Sequence, residues 1–309
     1  MSAGRPGRAD VTAAADRIGP YIHRTAVLHS RSIDALAGCR VVFKCENFQR
    51  SGSFKMRGAL AVLSADLTRA QECGAVTHSS GNHGAALALA GRLLGVTVTV
   101  VMPATASAFK RRAVERYGAR IVDCGPTLEE RETALAAVQA GAEMLFVPPY
   151  DHPHIVAGQG TATQELLEQA PDIDTVWVPV GGGGLASGAV LAAGGSGVRV
   201  RAGEPELADD AWRGLACGVR QPAPPPRTAA DGLRTALGEL NFEILHDYAL
   251  AVTRVSEQAI LDAQRLMWNC LKIVAEPSSA VALAALLEAG GDGCAGVIVS
   301  GGNVDLPTL

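Results

Sequence analysis

The stretch Ser51-Gly52-Ser53-Phe54-Lys55-Met56-Arg57-Gly58 decides how the rest of the chain is read. It follows a strand-like apolar run, Arg40-Val41-Val42-Phe43-Lys44, and stands where a helix should begin. Lys55 lies there between small residues and an aromatic ring. Partial burial near a helix N-terminus disfavours the ammonium form, so more of the side chain is the free, nucleophilic amine that forms a Schiff base. Taken alone, Lys55 reads more readily as a solvated lysine in a Gly/Ser loop, because most lysines are exposed. The neighbouring motifs turn the reading towards the reactive amine.

Outward from this stretch, short apolar runs alternate with longer amphipathic ones. Strands are expected at 41–45, 74–78, 96–101, 120–123, 144–147, 175–180, 198–202, 250–254 and 296–299. Helices are expected at 54–66, 82–94, 106–117, 127–140, 155–169, 184–193, 256–271 and 278–289. β-branched, fully apolar strands alternating with helices predict an α/β fold of mostly parallel sheet with helices on both faces. Nine strands are many for one small sheet, so two sheets are expected. The segment Gln221-Pro222-Ala223-Pro224-Pro225-Pro226 is a loop that is neither helix nor central strand.

The 309 residues, 48% hydrophobic and 19% charged, can build one large or two modest domains and exclude a disordered or fibrous chain. A formal net charge of -4 with both signs scattered makes no electrostatic case for nucleic acid or an anionic membrane surface. The seven cysteines form no C-x-x-C pair, which argues against a disulfide framework or thiolate zinc site and suits a reducing cytoplasm. The first residues lack the apolar core of a signal peptide, and no run is long and apolar enough to span a bilayer.

In open α/β sheets, ligands bind beyond the carboxyl ends of the strands. Lys55, Ser79–Gly84, Gly181–Gly184, Glu204 and Ser300–Asn303 each follow an expected strand, so five loops on one rim form one site. The glycines 181–184 open a helix, where unsatisfied N–H groups and the helix dipole bind phosphate. No Gly-Lys-Ser/Thr follows, which excludes a triphosphate P-loop. A cofactor monophosphate and a dinucleotide both remain open, since Gly182-Gly183-Gly184-Leu185-Ala186-Ser187 nearly fits the dinucleotide fingerprint. Glu204 also lies about 20 residues on, where a ribose-binding acid sits; a Gly/Ala packing turn is the plain reading.

Ser79-Ser80-Gly81-Asn82-His83-Gly84 suits a carboxylate at a helix start, or equally an ordinary N-cap by Ser80 or Asn82. His83 reads as a structural histidine more than a base. Glu204 and Asp210 in one short loop suit a hard divalent cation, although a solvated acidic loop is the more usual outcome for such a pair. Glu276-Pro277-Ser278-Ser279 and Ser300-Gly301-Gly302-Asn303 fit a helix cap and a strand-ending turn.

Together these segments resemble the pyridoxal-phosphate enzymes of the tryptophan-synthase-β fold, most closely the serine/threonine dehydratase and serine racemase family. The resemblance runs from Thr25 to Leu306, with the motifs in the family's order. Lys44-Cys45-Glu46-Asn47-Phe48-Gln49 leads to Ser51–Gly58, then Ser79–Gly84, Ala157-Gly158-Gln159-Gly160-Thr161, Gly181–Gly184, Glu204–Asp210, Asp231-Gly232, Glu276-Pro277 and Ser300–Leu306. It implies two open twisted sheets (the type II fold of these enzymes), with the cofactor between a discontinuous large domain, 1–69 and 148–309, and a small mobile domain, 70–147.

It further implies that Lys55 carries pyridoxal 5′-phosphate, that Phe54 packs on its ring, and that Gly181, Gly182, Gly183 and Gly184 cradle its phosphate. Asn82 would bond the ring hydroxyl, Ser300 would face the pyridine nitrogen, and Glu276 would border the cofactor. Ser79, Ser80, Gly81, Asn82 and His83, with Gly232, would hold the substrate. Glu204, the Ala208 carbonyl and Asp210 match the family's site for Mg2+, Ca2+ or Mn2+. The implied reaction is α,β-elimination from L-serine, L-threonine or a related β-hydroxy amino acid, giving a 2-oxo acid and ammonia. The alternative is a serine racemase with side dehydratase activity, for which Ser80, opposite Lys55, would move the second proton. The neutral Ser300 hydroxyl makes a weaker electron sink than an acid would, which disfavours transamination. Asp151, His152, His154 and Arg234 are candidates to select a second substrate carboxylate, as in 3-hydroxyaspartate. A cytoplasmic homodimer or homotetramer acting on a small amino acid completes the expectation. A non-catalytic binding protein that keeps the fold, and a dinucleotide-dependent dehydrogenase, are the readings from other classes.

Overall fold

The computed structural model describes residues 4–79, 81–106, 108–225 and 227–305. Its first half runs α1 Arg8–Ile18, β1 Val27–His29, α2 Arg31–Ala37, β2 Arg40–Cys45, α3 Lys55–Ala65, α4 Leu67–Cys73, β3 Ala75–His78, α5 Asn82–Leu94, β4 Val98–Pro103, α6 Ala108–Arg116, β5 Arg120–Cys124, α7 Leu128–Gly141 and β6 Leu145–Phe146. The second half runs α8 Pro153–Gln169, β7 Thr175–Pro179, α9 Gly184–Ala193, β8 Arg199–Pro205, α10 Asp210–Cys217, α11 Glu239–Asp247, β9 Ala251–Val255, α12 Glu257–Leu266, α13 Pro277–Ala289 and β10 Cys294–Val299.

These strands make two sheets, ordered β1-β2-β10-β7-β8-β9 and β5-β4-β3-β6. Every pairing is parallel except β1 with β2. The strands with unbroken apolar runs are interior: β4, β7 and β10 are buried at every position, because helices cover both faces. The edge strands β5 and β9 are only half buried.

The expected alternation and the two sheets are both present. What the periodicity missed is short or polar: the three-residue β1 and the helices α1, α2, α4, α10 and α11. Two boundaries move by more than two residues. β8 continues to Pro205, so Glu204 closes the strand and does not follow it. The α-helical part of the 256–271 segment stops at Leu266, and a single π turn, Met267–Leu271, completes it.

One packing device sets the geometry of the site. Helix α8 crosses between α3, which starts at Lys55, and α9, which starts at the glycine loop. The crossing is backbone to backbone. A Cβ on Gly158 would stand 2.8 Å from the Gly58 Cα, and one on Gly188 would stand 2.4 Å from the Gly160 nitrogen. Any side chain there would push the helices apart, so the small residues of Ala157-Gly158-Gln159-Gly160-Thr161 hold the lysine and the loop in register. Beside them, buried Arg57 bonds Glu46 at 2.7 Å and Glu165 at 2.8 Å, while buried Lys44 reaches Glu165 at 2.7 Å. This cluster ties β2, α3 and α8 together under the site. No helix among the described residues is long and apolar enough to cross a membrane.

Candidate active site

Strands β2 and β10 are neighbours, and their outgoing loops stay paired. Phe54 N donates to Ser300 O at 2.9 Å, Gly302 N to Gly52 O at 2.9 Å, and Asn303 Nδ2 to Ser51 O at 2.7 Å. This brings the lysine loop and the Ser300 loop together. Lys55 is the first residue of α3; its Nζ donates to Pro149 O at 2.7 Å and lies 5.1 Å from the Phe54 ring centroid. Burial lowers the amine's pKa to about 8, against an upward pull from the Glu276 carboxylate. The Ser300 hydroxyl lies 2.9 Å from that of Ser279.

Gly181–Gly184 connect β7 to α9 and are buried throughout. Gly183 has φ 92°, which favours glycine. A Cβ on Gly182 would stand 2.3 Å from the Tyr150 ring, and one on Gly183 would stand 2.5 Å from Leu237. The Gly182 carbonyl is taken by Asn241 Nδ2 at 2.8 Å and Gly238 N at 3.2 Å. Among the described residues none of the four amides donates to a protein acceptor. A buried row of unsatisfied donors at a helix start fits an anion, and phosphate above all.

Asn82 opens α5 and Glu276 caps α13, from opposite ends of the chain. Asn82 Nδ2 donates to both Glu276 oxygens, at 2.9 and 3.0 Å, and Asn303 Nδ2 donates to Asn82 Oδ1 at 3.0 Å. Burial pushes Glu276 up to about 7, and the Asn82 hydrogen bond works against that shift. The helices α3, α5, α9 and α13 therefore point four N-termini at one place.

Ser79 Oγ accepts from Gly81 N at 3.2 Å and Gly84 N at 3.1 Å, so Ser79 closes the first turn that Ser80 or Asn82 was expected to cap. Ser80 lies outside the described residues. The His83 ring is buried and bonds the Val147 carbonyl at 3.0 Å through Nε2. Burial and then Lys55 lower its pKa to about 3, so it is neutral and structural. Gly232 N donates to Ser278 Oγ at 3.0 Å.

Three of the four residues expected to select a second carboxylate have partners elsewhere. Asp151 caps α11 through the Glu239 and Asn241 amides, at 3.0 and 3.2 Å. His152 caps α8 by accepting from His154 N at 3.2 Å. Arg234 donates twice to Thr228 O, at 2.9 and 2.6 Å. A residue that the sequence reading passed over stands nearer. Lys110, on α6, pairs with Asp231 across the mouth, and its Nζ is 3.6 Å from where a Gly81 Cβ would be. Nothing in its basic helix distinguishes it from a solvated face; only the fold brings it to this loop.

Glu204 and Asp210 are both buried. Glu204 accepts from Ala211 N at 2.9 Å and Trp212 N at 2.7 Å, and Asp210 accepts from Leu237 N at 2.8 Å. Burial pushes Glu204 well above the usual carboxylate range and Asp210 to about 6. Neither forms an ion pair among the described residues, whereas their neighbour Asp209 pairs with Arg213 and Arg254. Two buried carboxylates lacking a counter-charge fit a hard cation. No third acid, His or Cys joins them among the described residues.

The model of the pyridoxal-phosphate dependent enzymes matches residues 18–301. The chain belongs to this family. It is 44% identical to the beta-hydroxyaspartate dehydratase of Paracoccus denitrificans (strain Pd 1222), covering 98% of each sequence. It is 43% identical to the serine racemase of Oryza sativa subsp. indica, over 95% of this chain and 89% of that one. The solved structure of maize serine racemase superposes with a TM-score of 0.95 at 42% identity, over 98% of this chain and 95% of that one. The protein is thus a pyridoxal-phosphate dependent enzyme of the dehydratase and racemase branch, and the dinucleotide reading falls.

Proposed function

We propose that the enzyme eliminates water from a β-hydroxy amino acid, and that water then hydrolyses the resulting enamine to a 2-oxo acid and ammonia. The observation that carries this is Lys55, a half-buried amine with a depressed pKa at the start of α3, bonded to Pro149 O next to Tyr150, whose ring lies against the glycine loop. When bound, pyridoxal phosphate supplies the electron sink for a carbanion at the substrate Cα. Lys55, Phe54, Gly181–Gly184, Asn82 and Ser300 would hold it, with Glu276 behind Asn82. The Lys55 amine takes the Cα proton, being free for a useful fraction of the time near neutral pH. The α5 N-terminus would orient the substrate carboxylate through its amides, and the Ser300 hydroxyl, shared with Ser279, would offer the cofactor a neutral partner.

Several finer features belong to the same proposal. Glu204, the Ala208 carbonyl and Asp210 would hold Mg2+ or a similar cation, which would neutralise the two buried carboxylates. The segment 70–147 acts as a small domain that closes on substrate and excludes water. The enzyme works in the cytoplasm as a homodimer or homotetramer.

The test is a panel of L-serine, L-threonine and the 3-hydroxyaspartates with cofactor-loaded protein, following 2-oxo acid, with Lys55→Ala as control. Release of 2-oxo acid by the wild type alone is expected; no release from any substrate refutes elimination. Racemisation is the second reading, favoured by the serine racemase relatives. D-serine formed faster than pyruvate from L-serine would put it first.

A further inference from the structure

Glu276 is 3% exposed, bonded by the Asn303 backbone N–H and, through both its oxygens, by the side-chain amide of Asn82. The other end of that amide is also held. Asn303 Nδ2 donates to Asn82 Oδ1 at 3.0 Å and is itself anchored on Ser51 O at 2.7 Å. A carboxylate can only accept and an amide nitrogen can only donate. Turning the Asn82 amide over would set oxygen against the carboxylate and nitrogen against nitrogen. The carboxylate has little room to move away, since a Cβ on Gly301 would stand 2.8 Å from its Oε1. One Nδ2 proton is spent on Glu276, and the second is left for the site.

We propose that Glu276 is a positioning residue that orients the Asn82 amide, so that an N–H and not the carbonyl is offered to the ring hydroxyl of pyridoxal phosphate. This rests on the cofactor reading given above. A donor in that place favours the ionised hydroxyl, whereas a carbonyl would favour the neutral one. Glu276 therefore acts on the cofactor's electronic state through Asn82.

The test titrates apoenzyme with pyridoxal phosphate at a pH above the Glu276 pKa of about 7, recording Kd and the absorption maximum. Glu276→Ala and Asn82→Ala are each expected to weaken binding about tenfold and to shift the absorption. The double variant should be no worse than Asn82→Ala, because the effect of Glu276 passes through that amide. Glu276→Gln should stay within about twofold of wild type, since its carbonyl oxygen still accepts from Nδ2. Additive losses, or Glu276→Gln as poor as Glu276→Ala, would overturn the proposal. If Glu276→Ala does not fold, Glu276→Asp keeps the charge but withdraws it from Asn82; wild-type binding and spectrum in that variant would overturn the proposal too. A wild-type apoenzyme that takes up no cofactor would overturn the cofactor reading itself.

Discussion

The Lys55 amine should capture pyridoxal phosphate with a pH profile set by its burial. With the pKa lowered to about 8, about one amine in ten is free at pH 7. For an ordinary lysine at 10.5 the fraction is about one in 3,000, so capture should be about 300-fold faster on this ground alone. The rate should rise about tenfold per pH unit up to about pH 8 and then level off. The assay is stopped-flow mixing of apoenzyme with cofactor at stepped pH, with Nα-acetyl-lysine run in parallel to remove the cofactor's own titration. The Glu276 carboxylate raises the Lys55 pKa, so Glu276→Gln should move the midpoint to lower pH. A midpoint near 10.5, or an upward move in Glu276→Gln, would refute the burial argument. The sign for stability follows. Between about pH 8 and 10.5 the unfolded chain holds a proton that the folded chain has released, so the apoenzyme gains stability as pH rises through that window.

Three other outcomes are expected. Gly182→Ala places a Cβ 2.3 Å from the Tyr150 ring and should cost about 1–3 kcal/mol by overpacking, read as a lowered Tm. Gly141→Ala, which meets open space, is the control, and equal Tm values would deny the close approach. Arg57→Met leaves Glu46 and Glu165 buried without their guanidinium and should cost about 3–5 kcal/mol in urea unfolding, a change under about 1 kcal/mol counting against the buried cluster. Chelation by EDTA should lower Tm and Mg2+ should restore it, while Asp210→Ala responds to neither; a wild type indifferent to EDTA would remove the cation.

Much of the fold was legible because its signals are local. β-branched runs such as Val297-Ile298-Val299 cannot face water on either side, and the 82–94 helix has the same bounds in both readings. Short elements such as β1 carry too few residues for a period, and β8 outran its apolar run because a parallel neighbour, β9, pairs with it as far as Val255. His83 was read as structural from its type, and the Val147 carbonyl supplies the reason. Asp151, His152 and Arg234 looked available only because a sequence does not show which helix ends and carbonyls await them.

The sequence by itself determined which residues could do chemistry: a lysine at a helix start, a glycine row without a P-loop lysine, and the order of the loops. These depend on neighbours a few positions away, where backbone propensity and helix-end chemistry act. The tertiary structure alone decided which of them meet. The Asn82–Glu276 and Lys110–Asp231 contacts join residues 194 and 121 positions apart. The Lys55 pKa likewise follows from burial that only the folded chain supplies. Charge, solvation and hydrogen bonding act through distances of a few ångströms, and those distances are set by packing and not by position in the chain.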